Sequence, residues 1–82
     1  MITVYGKPGC QSCRATRRVL AKQNTPFQYI DLAEHPEHMK HIRGLGYTAL
    51  PVVTVTSPDG DLIDHWAEFR VERIKNIKGM EA

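Results

Sequence analysis

The only two cysteines of this 82-residue chain stand three apart, in Lys7-Pro8-Gly9-Cys10-Gln11-Ser12-Cys13. Thiols at that spacing suit three kinds of chemistry: half of a metal site, a structural cross-link, or a redox pair that cycles between dithiol and disulfide. Structural zinc wants four ligands. The remaining candidates are His35, His38, His41 and His65, whose order and spacing match no zinc pattern. His35 and His38 neighbour Glu34 and Glu37 and read as an ordinary polar helix surface. A cross-link between positions 10 and 13 closes too short a loop to restrain the unfolded chain much. The redox reading is the strongest, provided that the pair sits between a strand and a helix.

The surrounding elements meet that condition. Ile2-Thr3-Val4-Tyr5 is β-branched and aromatic and predicts a strand. Lys7-Pro8-Gly9 makes a turn. From Gln11 to Gln23 there is no Gly or Pro, and Ala15, Thr16, Val19 and Leu20 fall at helical spacing. Asn24-Thr25-Pro26 closes that helix, and residues 27–31 alternate as a second strand. Pro36 suits the first turn of a second helix, with Met39, Ile42 and Leu45 on one face and Gly44 and Gly46 framing its end. Pro51 opens a third strand, Val52–Thr56. Ser57-Pro58-Asp59-Gly60 is a turn, so Leu62–Trp66 returns as a hairpin partner. Val71, Ile74 and Ile77 mark the inner face of a last helix that ends near Gly79. The order βαβαββα predicts an α/β fold, a four-stranded mixed sheet with helices on both faces, built as a single domain over residues 1–82.

In that frame Cys10 lies at a helix N-terminus, where unpaired N–H groups and the helix dipole favour a thiolate. Lys7 and Arg14 add positive charge. Cys10 is the expected exposed nucleophile and Cys13, one turn later, the more buried resolving thiol. Gln11 and Ser12 tune hydrogen bonding without carrying charge. The Cys10 thiolate attacks a target disulfide, and Cys13 displaces the reduced target, leaving a Cys10–Cys13 bond that an external reductant must reset. No metal or organic cofactor is required.

Composition narrows the partners. The formal net charge is +2, from 11 basic and 9 acidic residues, too mild to argue for nucleic acid. The one local excess, Arg14, Arg17, Arg18 and Lys22, reads as a solvated helix face, because no aromatic residues are interleaved for base stacking. No apolar run approaches the ~20 residues of a membrane span. The N-terminus lacks a basic leader, so no membrane partner and a cytoplasmic location are expected.

Ala49-Leu50-Pro51 immediately precedes a strand, and an X-Pro bond is where a cis peptide is cheap. Beside a Cys-x-x-Cys pair a cis bond is expected. It would turn the Leu50 backbone towards an extended substrate segment, in the manner of β-strand addition. A trans edge-strand proline is the alternative.

Together these features resemble the thioredoxin superfamily, and the length resembles its small glutaredoxin branch. Three stretches sharpen the likeness: residues 1–16, Gly46-Tyr47-Thr48-Ala49-Leu50-Pro51-Val52-Val53, and Asp64-His65-Trp66-Ala67-Glu68-Phe69-Arg70. They resemble the NrdH-redoxins, whose last segment reads Trp-Ser-Gly-Phe-Arg-Pro. The resemblance implies a monomeric dithiol electron carrier that reduces class Ib ribonucleotide reductase, so feeding deoxyribonucleotide synthesis, and is recharged by thioredoxin reductase and NADPH. It assigns Trp66, Phe69 and Arg70 to a network beside the partner-binding surface, although Trp66 and Phe69 also suit plain core positions; the several donors of a guanidinium suit Arg70 to an ordering role. Glutathione-using relatives carry Cys-Pro-Tyr-Cys and a Gly-Gly-x-x-Asp segment. Here the motif is Cys-Gln-Ser-Cys and His65-Trp66 occupy the corresponding stretch, while Lys7 and Leu50-Pro51 stay compatible with glutathione. A glutathione-dependent glutaredoxin and a non-enzymatic metal-binding or adaptor module are the alternatives. Ala67, Glu68 and Val71 depart from the family's Ser, Gly and Pro. Because glutamate resists torsions that glycine adopts, a differently shaped loop is expected there.

Overall fold

The computed structural model describes residues 1–80. Four strands, β1 (Ile2–Gly6), β2 (Gln28–Asp31), β3 (Val52–Thr56) and β4 (Leu62–Ala67), alternate with helices α1 (Gln11–Lys22), α2 (Met39–Gly44) and α3 (Val71–Met80) in the expected order βαβαββα. The sheet order is β2-β1-β3-β4. β1 pairs parallel with β2, and antiparallel with β3, which pairs antiparallel with β4.

Side-chain alternation divides the sheet into two faces. Val4, Val53 and Trp66 lie in one cross-strand row, and Tyr5, Val52 and Ala67 in the next. The first face packs with Ile2, Leu20, Val55, Ile74 and Ile77 into a core closed by α1 and α3. The second packs with Leu32 and Ile42 under α2, flanked by Ile30, Met39, Tyr47 and Leu50. The helices therefore cover both faces. Each buried Val, Leu or Ile contributes about 1.5–3 kcal/mol by leaving water, so the two layers dominate what holds the sheet flat against its helices.

The second helix is shorter than its apolar spacing suggests. Pro36–His38 forms a 3-10 turn, α2 follows from Met39, and Leu45 is its C-terminal cap residue. His38 and His41 set their rings against Tyr5, at centroid distances of 5.8 and 6.1 Å. The arginine stretch on α1 also departs from a uniformly solvated face. Arg14, Arg18 and Lys22 are exposed, but Arg17 is half-buried with its guanidinium 4.1 Å from the centre of the Tyr29 ring.

The antiparallel pairing of β1 with β3 brings Tyr5 opposite Val52. The end of β1 and the start of β3 thus lie at one end of the sheet. The loop carrying Cys10 and the loop carrying Leu50-Pro51 have to meet there.

Candidate active site

Cys10 is the N-cap of α1. Its backbone is extended, with φ −88° and ψ 109°, and its sulfur accepts the Cys13 backbone N–H at 3.2 Å. A thiol in the place usually held by Ser or Asp satisfies one of the orphan donors of the first turn. The first turn of α1 holds no acidic side chain, so nothing there opposes a negative sulfur. The Ser12 hydroxyl lies 3.5 Å from the same sulfur. The Cys13 N–H and the helix dipole favour the Cys10 thiolate, with the Ser12 hydroxyl within reach as a further donor.

Cys10 and Cys13 are joined by a disulfide, with Cα atoms 5.2 Å apart, inside the span such a bond accepts. Their exposures differ. Cys10 is half-buried and faces a cleft, whereas Cys13 has 0% exposure. Residue 6 lies against this buried sulfur. A Cβ at Gly6 would stand 2.9 Å from Cys13 Sγ and 2.8 Å from the Tyr29 hydroxyl oxygen, so only glycine lets helix and strand approach this closely.

The cleft is lined by Lys7, Cys10, Leu32, Met39, Arg43 and the Thr48–Leu50 backbone segment, among others. The Leu50–Pro51 peptide is cis. The Ser12 hydroxyl donates to the Leu50 carbonyl at 3.3 Å, tying the cysteine loop to the proline loop. Lys7, Cys10 and Leu50 are therefore brought together, with Ser12 between the last two. Pro51 is buried behind them. Gln11 is not part of the cleft; it faces a shallow depression with Arg14, Ala15 and Arg18.

The Trp66–Arg70 segment divides between the core and the surface. Trp66 is only 3% exposed and packs in the α1–α3 core, with the Arg73 guanidinium 5.1 Å from its ring centre. It supports the surface from beneath and borders the cavity that Tyr47, Arg70 and Arg73 also line. Phe69 is 41% exposed. Arg70 Nε donates to the Ala67 carbonyl at 3.1 Å, an ordering contact across the loop. Glu68 takes φ +69°, so the loop keeps a glycine-like torsion although the residue is glutamate. Its N–H donates to the Pro51 carbonyl at 2.7 Å, which locks β4's end to the proline loop and offsets part of the torsional cost.

Two contacts were not legible from motifs. The Tyr47 hydroxyl and His65 Nδ1 share a 2.7 Å hydrogen bond, spanning from the proline loop to β4. Tyr47 borders both the cysteine cleft and an adjoining cavity that reaches Arg70 and Arg73. The other is the convergence of the Tyr29 hydroxyl and Cys13 Sγ on the space beside Gly6. Among the described residues no three His, Cys, Asp or Glu side chains converge as metal ligands would, and no described helix is long and apolar enough to cross a membrane.

A family model described as Glutaredoxin matches residues 2–63. The chain is 33% identical over 76 residues to the glutaredoxin-like protein NrdH of Escherichia coli K12, covering 93% of this chain and 86% of that one. It is 33% identical over 54 residues to the NrdH protein of Lactococcus lactis subsp. cremoris, covering 66% and 75%. Its structure superposes on that of the E. coli NrdH-redoxin, which is described as having a thioredoxin-like activity profile, with a TM-score of 0.80 at 29% identity, over 93% and 92% of the two chains. A thioredoxin from Fasciola hepatica matches at a TM-score of 0.74 and 17% identity, a likeness of fold.

Proposed function

The chain belongs to the glutaredoxin family as an NrdH-like thiol–disulfide oxidoreductase, and on that premise we propose that it is a dithiol electron carrier serving ribonucleotide reductase and recharged by thioredoxin reductase and NADPH. One observation supports the chemistry above all: Cys10 caps α1 and faces an open cleft while Cys13 is wholly buried behind it.

The division of labour follows from that geometry. Cys10 Sγ, as thiolate, attacks one sulfur of the target disulfide. The new bond joins Cys10 to the target, and the other target sulfur leaves as a thiolate that takes up a proton. Cys13 then loses its proton, attacks Cys10 Sγ, and expels the second target sulfur. The target gains two electrons and the Cys10–Cys13 pair loses them. Leu50 offers backbone polar groups and Lys7 a positive charge at the rim of the cleft, where an extended segment of the target would lie. Phe69 and Arg70 are proposed as partner contacts on the neighbouring loop, with Gln11 at the far edge and Trp66 as their buried support. A monomer in the cytoplasm, where thiols are kept reduced, fits this role, and the chemistry needs no cofactor of its own.

The test is to supply the oxidised protein with thioredoxin reductase and NADPH and follow reduction of a protein disulfide. Turnover is expected. No turnover, with reduction instead by glutathione and its reductase, would overturn the choice of reductant. A glutathione-dependent reading has one observation in its favour: Lys7 and Arg43 border the same cleft as Cys10, and cations there suit the carboxylates of the tripeptide. Against it stands the Trp66-Ala67-Glu68 stretch, which lacks paired glycines.

A further inference from the structure

We propose that Tyr29 is a positioning residue for the resolving step, its hydroxyl donating a hydrogen bond to Cys13 Sγ when that sulfur is reduced. This rests on the disulfide-exchange chemistry of the Cys10–Cys13 pair. The placement follows from the sheet. β2 runs parallel to β1 with Tyr29 opposite Val4, which puts the phenol on the α1 face. Gly6, two residues further along β1 on that face, has no side chain. The Tyr29 hydroxyl and Cys13 Sγ converge on the space left free, at 2.8 and 2.9 Å from where a Cβ would be.

Burial makes such a donor necessary. Cys13 has 0% exposure, and a buried thiolate without a hydrogen bond is costly. Charged and titratable groups stand on the elements around it. On α1, Arg17 lies one turn further along and sets its guanidinium 4.1 Å from the centre of the Tyr29 ring. On β2 there are Tyr29 itself and, opposite Gly6 on the same face, the half-buried Asp31, whose Oδ1 accepts the Ala33 N–H at 2.8 Å; beyond the disulfide there is Cys10. α3 contributes the apolar Ile74 and Ile77 to the same core. A cation over the face of a phenol draws electron density from the ring and makes the O–H a better donor. Among the described residues Arg17 Nε is buried without a hydrogen-bond partner, and the guanidinium lies against the ring. A disulfide sulfur is a weak acceptor and a thiolate a strong one, so the hydrogen bond is made as the disulfide opens.

In the resolving step the Cys13 proton passes to solvent, the thiolate attacks Cys10 Sγ, the Cys10–Cys13 bond forms, and the bond to the target breaks. The Tyr29 proton stays on its oxygen throughout. Tyr29 stabilises the attacking sulfur in the state that reacts, and leaves the first attack by Cys10 untouched.

An aryl disulfide that releases a coloured thiolate separates the two steps. Mixed with reduced protein, it gives a first release on Cys10 attack and a second on Cys13 resolution. Tyr29→Phe keeps the ring under Arg17 and removes only the hydroxyl. The first release should be unchanged and the second slowed about tenfold, the size of a hydrogen bond to a charged group. In a Cys10→Ser background, the pH at which Cys13 becomes alkylated should rise with Tyr29→Phe. Unchanged second release, or an effect confined to the first, would overturn the proposal. So would Arg17→Leu reproducing the full effect while Tyr29→Phe has none, which would assign the role to the guanidinium directly. Failure of the unaltered protein to release any thiolate would instead overturn the exchange chemistry itself.

Discussion

The Ser12 hydroxyl donates a hydrogen bond to the carbonyl of Leu50, 3.3 Å away and 38 residues along the chain. The same oxygen lies 3.5 Å from Cys10 Sγ. A serine hydroxyl has one proton, so it serves the Leu50 carbonyl or the sulfur but not both. A charged Cys10 is the stronger acceptor. In the reduced protein the hydroxyl is therefore expected to turn from Leu50 to the Cys10 thiolate, which would leave that carbonyl open to an incoming backbone N–H.

Ser12→Ala removes this choice. Cys10 should react with iodoacetamide a few-fold to about tenfold more slowly at neutral pH, the worth of one modest hydrogen bond. The oxidised protein should lose about 1 kcal/mol in urea unfolding. An unchanged alkylation rate would show that the Cys13 N–H and the helix dipole alone stabilise the sulfur.

The cysteines themselves should be unequal. Cys10 opens to the cleft and Cys13 is fully buried, so Cys10 should be alkylated first in the reduced protein. Cys10→Ser should abolish disulfide reduction, and Cys13→Ser should accumulate a mixed disulfide with the target, seen as added mass. Equal alkylation rates, or Cys13 reacting first, would reverse the assignment.

Much of this was legible in the chain. The β-branched runs and the helix free of Gly and Pro predict the element order, and the place of Cys10-Gln11-Ser12-Cys13 between strand and helix follows from it. What was not legible depends on register and packing. Tyr29 and Cys13 both come up against Gly6 only because β2 aligns Tyr29 with Val4 and because Gly6 is bare, which neither segment encodes alone. Trp66 could be core or part of the partner-side network on sequence alone, and strand alternation settles its packing by turning it inward with Val4 and Val53. The apolar spacing through Leu45 gave one long helix, whereas the Pro36 start tightened the first turn and left Leu45 as a cap.

Gly6 should tolerate no side chain. In Gly6→Ala the new Cβ meets Cys13 Sγ and the Tyr29 ring below 3.1 Å, and both lie in packed surroundings. Such overpacking costs about 1–3 kcal/mol, so the urea midpoint should fall. The resolving step should slow as well, because Cys13 and Tyr29 are pushed apart. Pairing Gly6→Ala with Tyr29→Phe should give less than the sum of the two effects on that step.

Glu68 offers the opposite case. It holds φ +69°, a region that costs a non-glycine residue about 1–2 kcal/mol. Glycine there would avoid this cost but lose more backbone entropy on folding, by about 0.5–1 kcal/mol. Glu68→Gly should therefore stabilise the protein, by about 0.5–1 kcal/mol net, read from the urea midpoint. The backbone bond from residue 68 to the Pro51 carbonyl does not depend on the side chain, so the proline loop should stay in place and the rate of Cys10 attack should not change. A loss of stability would show instead that the glutamate side chain holds the loop through contacts that outweigh its strained torsion.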